Sequence, residues 1–246
     1  MFEWLNTESG NLLINGLALT IGLTAVTSIL GLVLGVGIGI LKLTQRPILP
    51  KLAIIYIETF RNIPALVLII FWAFAFPNII PLELRSKVFF DNPIINTVST
   101  WTGLSIPYYT LAAVLGLTLN TSAYLAELFW AGVGTIQQEH IDASRTLGAP
   151  KLVLLRRIII PQGLRAAFPA ISTRLIHNMK NTALVAFVAT PEFFHNIQTA
   201  ITRSFRAVEL LMLAAVVYLL LSFTFSSLLR WIENRLNRGA FVPQNG

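Results

Sequence analysis

Apolar positions in this chain come in long runs nearly free of charge, separated by short basic segments. Residues 12–41 hold almost no charged side chain and six glycines: Gly16, Gly22, Gly31, Gly35, Gly37 and Gly39. A bilayer crossing needs roughly 20 mostly apolar residues at about 1.5 Å rise each. The pattern predicts five such helices, over residues 12–41, 52–76, 107–133, 167–189 and 208–229. The fourth is the most polar, and a soluble amphipathic surface helix is its alternative. Its second half, "ALVAFVA" (183–189), continues the apolar run and favours a crossing.

Composition agrees with this pattern. Of 246 residues, 55% are hydrophobic and only 12% charged, and the mean hydropathy is +0.71. A soluble domain of this length needs far more charge to cover its surface. The expected fold is an all-α integral membrane protein, a single domain over residues 1–246. The first run does not read as a cleaved signal, because only Glu3 and Glu8 precede it and it is too long. There is no cysteine, which excludes disulfides, thiolate metal sites and cysteine catalysis.

Basic residues set the orientation. The segment "KLTQRPILPK" (42–51), the stretch 137–165 and the C-terminal tail together carry eleven Lys and Arg. The opposite compartment collects four, two of them (Arg85 and Lys87) offset by Glu83 and Asp91. This predicts the N-terminus outside and the C-terminus in the cytoplasm. It also places the net charge of +7 on a cytoplasmic membrane face and not on a nucleic-acid surface. Residues 77–106 mix proline, aromatic and apolar side chains, which suits an outer interfacial segment or a loose loop equally.

The longest charged stretch between apolar runs is "HIDASRTLGAPKLVLLRRIIIPQGLR", residues 140–165. A short helix is expected over about 137–147, with Gly148 as a turn or C-cap where a residue without Cβ takes a positive φ. Beyond it, Leu152, Leu155 and Ile159 fall on one stripe, with Lys151, Arg156 and Arg157 on the rest. Pro161 is then expected to stop or kink the helix. Two short helices set at an angle by a glycine make a protruding elbow. An interfacial helix on lipid headgroups accounts for the arginines but has no need of the glycine corner.

The stretch resembles the cytoplasmic EAA loop of ATP-binding cassette importer permeases: Glu-Ala-Ala, three residues, Gly, nine residues, then Ile-x-Leu-Pro. Here Asp142-Ala143-Ser144, Gly148 and Ile158-Ile159-Ile160-Pro161 stand at both spacings, with Asp for Glu, Ser for Ala and Ile for Leu. Three further segments are similar to the polar amino acid branch of these permeases. They are "YIETFRNIPALVLIIFW" (56–72), "LNTSAYLAELFWAGV" (119–133) and "MKNTALVAFVATPEF" (179–193). Trp130 stands where an Arg is usual, and Asn181 replaces an Asp.

The resemblance implies a permease subunit of the bacterial inner membrane, moving amino acids from periplasm to cytoplasm by alternating access. It implies pairing with an identical or homologous permease, and a periplasmic solute-binding protein that delivers the amino acid. Two ATPase subunits would bind ATP and Mg and dock on a coupling-helix elbow made by Asp142, Ala143, Ser144, Gly148, Ile158, Ile160 and Pro161. The chain has no Gly-x4-Gly-Lys-Ser/Thr phosphate loop, so no cofactor of its own and no enzyme activity are expected.

Charges inside the spans are the remaining candidates, since each costs about 2.5–3.5 kcal/mol at a helix centre on insertion scales. Glu58 and Arg61 are three apart and can pair, as an architectural or gating ion pair near the cytoplasmic end of the second span. Glu127 has no partner within its own helix and is open to Arg61, Arg174 or another chain. Arg174, Asn178 and Asn181 share one face, and Lys180 sits where an amino acid's carboxylate would need a cation. These four form a candidate substrate path, or else the face that seals against a partner permease. Permeases for other small polar solutes, and a stand-alone channel or secondary carrier, are the competing readings. The last would show inverted repeats with paired broken helices. His140, His177 and His195 are too scattered for a metal centre, and His177 reads as a packed interfacial residue.

Overall fold

A computed structural model describes residues 7–87, 92–103 and 106–237, all of them in helices or the turns between helices. Glu3, Asp91 and Arg238 lie outside the described residues. Three helices are long and apolar enough to cross a membrane, and a bent pair makes a fourth candidate.

Helix α1 (Thr7–Lys42) runs 36 residues without interruption. At about 1.5 Å per residue it is on the order of 50 Å long, well beyond a bilayer's hydrocarbon core. Helices α2 (Leu49–Asn62) and α3 (Ala65–Ile79) meet at a 101° bend, so the span expected over 52–76 is broken. The cause is local: Ile63 is extended at φ −88°, ψ 128°. A residue before proline is driven out of the helical region, and Pro64 has no N–H to offer the preceding turn.

Two short helices, α4 (Leu82–Arg85) and α5 (Pro93–Thr102), occupy the 77–106 segment. Trp101 on α5 is almost fully exposed. Helix α6 (Tyr108–Gly134) is the most enclosed span and packs against α1, α2 and α3. After it come α7 (Gln138–Thr146) and α8, which covers residues 151–181.

Pro161 does not stop α8. The turn before it, Leu155–Ile159, widens so that Ile160 N–H donates to Leu155 O. The wider turn makes room for the ring of Pro161, which has no N–H to donate to the turn before it. The same device precedes Pro77, where Phe76 N–H donates to Phe71 O.

Helix α8 ends at Asn181, and the apolar run that seemed to prolong it tightens into a 3₁₀ helix, Thr182–Val188. Ala189, at φ 54°, closes that segment in the left-handed region. With six basic residues along it (Lys151, Arg156, Arg157, Arg165, Arg174 and Lys180), α8 is not among the candidate spans. Helices α9 (Phe193–Ser204) and α10 (Ala207–Asn237) complete the fold.

Three apolar clusters hold these helices. Leu19, Ile69, Leu117 and Val185 join α1, α3, α6 and the 3₁₀ segment. Leu13, Ile197 and Leu210 join α1, α9 and α10. Leu125, Ile171 and Leu229 join α6, α8 and α10. Lipid tails are as apolar as leucine, so helices associate in a membrane by close packing. Gly31, Gly35 and Gly39 supply it on α1: a Cβ at Gly35 would lie 2.8 Å from Ser122 O on α6.

Candidate functional site

The break in α2 leaves its last carbonyls without helical partners. Helix α6 supplies donors. Asn120 Nδ2 donates to Phe60 O at 2.9 Å and to Ile63 O at 3.4 Å, and the Tyr124 hydroxyl donates to Arg61 O at 3.2 Å. The same two side chains receive α8, because Arg174 Nη2 donates to Asn120 Oδ1. The Tyr124 ring carries two guanidiniums, with Arg174 Cζ 3.9 Å and Arg61 Cζ 5.4 Å from its centroid. A cation over a ring face is attracted by the ring's quadrupole. The Nε atoms of both arginines are buried and have no hydrogen-bond partner.

Several sequence-level assignments change here. Glu58 and Arg61 are not joined: Arg61 turns toward Tyr124, and exposed Glu58 accepts from Asn62 Nδ2 at 3.1 Å. Both lie in the last turns of α2, at the helix break and beside the middle of α6. Glu127 pairs with Lys42 at 2.7 Å, and with neither Arg61 nor Arg174. Lys42 Nζ also lies 3.8 Å from the Trp130 ring centroid. The sequence placed Lys42 in a loop, whereas it is the last residue of α1.

This pair is partly buried, with side chains 14% and 30% exposed. Hydrogen bonds to charged groups contribute about 1.5–3 kcal/mol before solvent screening, so about 1 kcal/mol of coupling is expected here. A double-mutant cycle on Lys42→Met and Glu127→Gln, read by thermal unfolding in detergent, checks it. Purely additive effects would dissolve the pair.

Asn178 does not face an open path. It is fully buried and satisfied on both ends. Its Oδ1 accepts from Thr121 Oγ1 at 2.8 Å, and its Nδ2 donates to Thr27 Oγ1 at 2.8 Å and Ser28 Oγ at 3.2 Å. It is a polar joint between α8, α6 and α1. Lys180 and His177 are exposed, and Asn181 is half-buried at the end of α8. Only Arg174 of the four candidates meets the helix break.

Glu192 went unread in the sequence. It is 0% exposed, and four hydrogen bonds converge on its carboxylate. As the N-cap of α9, its Oε1 accepts from His195 N–H at 2.8 Å and its Oε2 from Phe194 N–H at 2.9 Å. The Tyr218 and Thr20 hydroxyls donate to Oε2 at 3.0 and 3.1 Å. Pro191-Glu192 just ahead of an apolar helix was the available signal.

The elbow is a full helix C-cap. Gly148 sits at φ +76°, Gly148 N–H donates to Arg145 O at 2.9 Å, and Ala149 N–H donates to Ser144 O at 3.0 Å. Leu147 is 88% exposed beside it, and Ala143 is exposed while Ser144 is half-buried. Asp142 accepts from Arg145 at 3.3 Å and Gln138 at 3.1 Å on its own helix. Ile158, Ile160 and Pro161 lie half-buried where α8 enters the helical bundle.

A bundle of apolar helices, one of them broken beside buried arginines, with an exposed glycine-capped elbow, is the build of a membrane permease subunit. Residues 30–238 match the family described as binding-protein-dependent transport system inner membrane component, and the chain belongs to that family. It is a multi-pass inner-membrane permease subunit and not an enzyme.

Among its relatives is a probable glutamine ABC transporter permease protein, GlnP, of Bacillus subtilis (strain 168). The two are 30% identical over 90% of this chain and 92% of that one. The arginine transport system permease protein ArgU of Corynebacterium glutamicum is also 30% identical, over 90% of this chain and 67% of its own length. A chain from the crystal structure of an amino acid ABC transporter with histidines superposes at a TM-score of 0.71, with 26% identity over 93% of this chain and 96% of that one. The MetNI methionine ABC transporter in an inward-facing form shares the fold at a TM-score of 0.70 and 20% identity.

Proposed function

We propose that this permease subunit imports amino acids, driven by separate ATPase subunits that dock on the elbow at Gly148. The amino acid substrate follows from the glutamine and arginine permeases among its relatives. The chain crosses the membrane five times, N-terminus outside, with the bent α2–α3 pair and α8 completed by its 3₁₀ segment as two of the crossings. It pairs with a second permease and receives its solute from a periplasmic binding protein. The positively charged 42–51 and 137–165 segments then share the cytoplasmic face.

The observation that carries this reading is the glycine cap itself. It holds α7 out from the bundle, with Asp142, Ala143 and Leu147 exposed. No atom lies within 4 Å of a Cβ built on Gly148. A side chain there meets backbone strain alone, about 1–2 kcal/mol for a residue with Cβ at positive φ, and more when β-branched.

Gly148→Val is therefore expected to fold and insert but to lose its ATPase partners on co-purification. ATP-driven uptake of L-glutamine or L-arginine into proteoliposomes should fall on the order of tenfold, about 1.4 kcal/mol of coupling free energy. Asp142→Lys should act in the same direction. A Gly148→Val complex that keeps its partners and imports at the wild-type rate would overturn the elbow.

A further inference from the structure

We propose that the groove between α1, α5 and α6 holds one acyl chain of an outer-leaflet phospholipid, whose ester carbonyl accepts a hydrogen bond from Thr110. The groove lies apart from both the elbow and the helix break. Its assignment to the outer leaflet rests on the N-terminus lying outside. Three observations carry the site.

The first is shape and chemistry. The groove has a volume of about 400 Å³, in the range of a ligand pocket. Its α1 wall runs from Ala18 to Leu30. Val98 and Thr102 of α5 close one side, and Thr110 and Val114 of α6 line the other. Gly22 widens it, because no atom lies within 4 Å of a Cβ built there. No charged side chain among the described residues lines it. It offers a zwitterionic amino acid nothing to pair with, and suits a hydrocarbon chain.

The second is the hydroxyl of Thr110. The residue is 4% exposed, and its Oγ1 has no hydrogen-bond partner among the described residues. A buried donor left unmade is costly, and the hydrocarbon core holds no water to satisfy it. At the head of an acyl chain the membrane itself supplies an acceptor, the ester carbonyl.

The third is depth. Helices α1 and α6 run side by side in one direction, with Gly31 against Thr121, Gly35 against Leu125 and Gly39 against Phe129. That register sets Thr110 level with Thr20, so the groove continues inward from the hydroxyl to Leu30. The distance is roughly 15 Å at about 1.5 Å per residue, which is one leaflet's share of a hydrocarbon core about 30 Å thick. Tyr108 and Tyr109 stand at the outer end of α6, and Trp101 on α5 is 91% exposed. Tyr and Trp gather at the membrane–water interface. The ester therefore meets Thr110 where the glycerol lies, and the tail runs toward the midplane.

The test uses the purified permease–ATPase complex in nanodiscs of phosphatidylethanolamine and phosphatidylglycerol. The probe is a phosphatidylglycerol with a diazirine midway along one acyl chain, and mass spectrometry locates the crosslinked peptides. Diester and diether forms of unlabelled phosphatidylglycerol compete with it. Orientation is checked separately by Thr100→Cys, a unique thiol in this cysteine-free chain, with an impermeant maleimide on spheroplasts and on inverted vesicles.

Crosslinks are expected on residues 18–30 of α1 and 110–114 of α6. On the wild type the diether should compete about fivefold more weakly than the diester, the share of one neutral hydrogen bond. That readout needs no variant to fold, and Thr110→Val should abolish the difference. Gly22→Leu projects into open space and should cut labelling of the groove on the order of tenfold.

Equal competition by the diether, or equal labelling of Gly22→Leu, overturns the site and leaves only ordinary lipid contact. A wild-type groove without label overturns it too. If Gly22→Leu then splits the permease pair on gel filtration, the groove seats a helix of the partner permease. Thiol labelling only in inverted vesicles sinks the orientation, and the outer-leaflet assignment with it, whatever the crosslinks show.

Discussion

Gly132→Ala is expected to destabilise the permease by about 1–3 kcal/mol, and Gly132→Leu to prevent assembly of the complex, because α6 and α8 touch backbone to backbone there. A Cβ on Gly132 would lie 2.5 Å from Gly163 O, 2.8 Å from Ala167 Cβ and 3.0 Å from Ala167 N. Two of those three are main-chain atoms, so no rotamer change relieves the overlap. The facing glycine is equally tight: a Cβ on Gly163 would lie 2.6 Å from Val133 Cγ2. Relief requires the helices to separate. That would loosen the cluster of Leu125, Ala167, Ile171, Leu175 and Leu229, and would move Arg174 away from Asn120.

Gly37→Ala is the control, since no atom lies within 4 Å of its Cβ. It should be neutral or slightly stabilising, because alanine is the better helix former by about 0.8–1 kcal/mol. Unfolding midpoints in detergent decide the matter. A Gly132→Ala protein melting with the wild type would mean that the α6–α8 contact yields more easily than its geometry implies.

The sequence made some of this legible and not the rest, for physical reasons. The runs at 12–41, 107–133 and 208–229 correspond within a few residues to unbroken helices over much of their length, although α10 runs on to Asn237. Length and apolarity alone determine such elements. Gly148 was readable because a left-handed cap has few chemical solutions. The break at Ile63-Pro64 was masked by averaging, because the dip made by Glu58, Arg61, Asn62 and Pro64 is short beside the apolar run that a span-length window covers. The end of α8 was masked too, since a 3₁₀ segment can be as apolar as an α-helix.

Pairing was the weakest inference. Local spacing offered Glu58 with Arg61, and the fold instead chose Lys42 for Glu127 across 85 residues of sequence and Tyr124 for both arginines. Periodicity describes neighbours on one helix. It carries no information about which faces meet, and the polar partners in this bundle come mostly from other helices.

Removing the Glu192 carboxylate should have the largest effect of any single side-chain truncation outside the elbow and the arginine pair. Four donors converge on it: two α9 amides and the hydroxyls of Thr20 and Tyr218. They belong to three helices, so one side chain ties α9 to α1 and α10. Glu192→Ala strands these donors in a site with no water access, at about 1–3 kcal/mol each where no rearrangement helps. Relaxation will recover part of that, and a net loss of about 3–5 kcal/mol is expected. For a chain of this size that corresponds to a fall in the unfolding midpoint on the order of 10 °C.

Glu192→Gln should fall between alanine and wild type. Its amide oxygen can keep the three donors at Oε2, while its NH₂ group must face the His195 N–H. Tyr218→Phe removes one donor and leaves the carboxylate its other three, so it should cost only about 1 kcal/mol. The order wild type, Tyr218→Phe, Glu192→Gln, Glu192→Ala is thus set by how many donors lose their acceptor. Limited proteolysis around 189–206 should follow the same order, since α9 is the element released. If Glu192→Ala melts with the wild type and resists the protease equally, then Leu13, Ile197 and Leu210 hold α9 in place without the carboxylate.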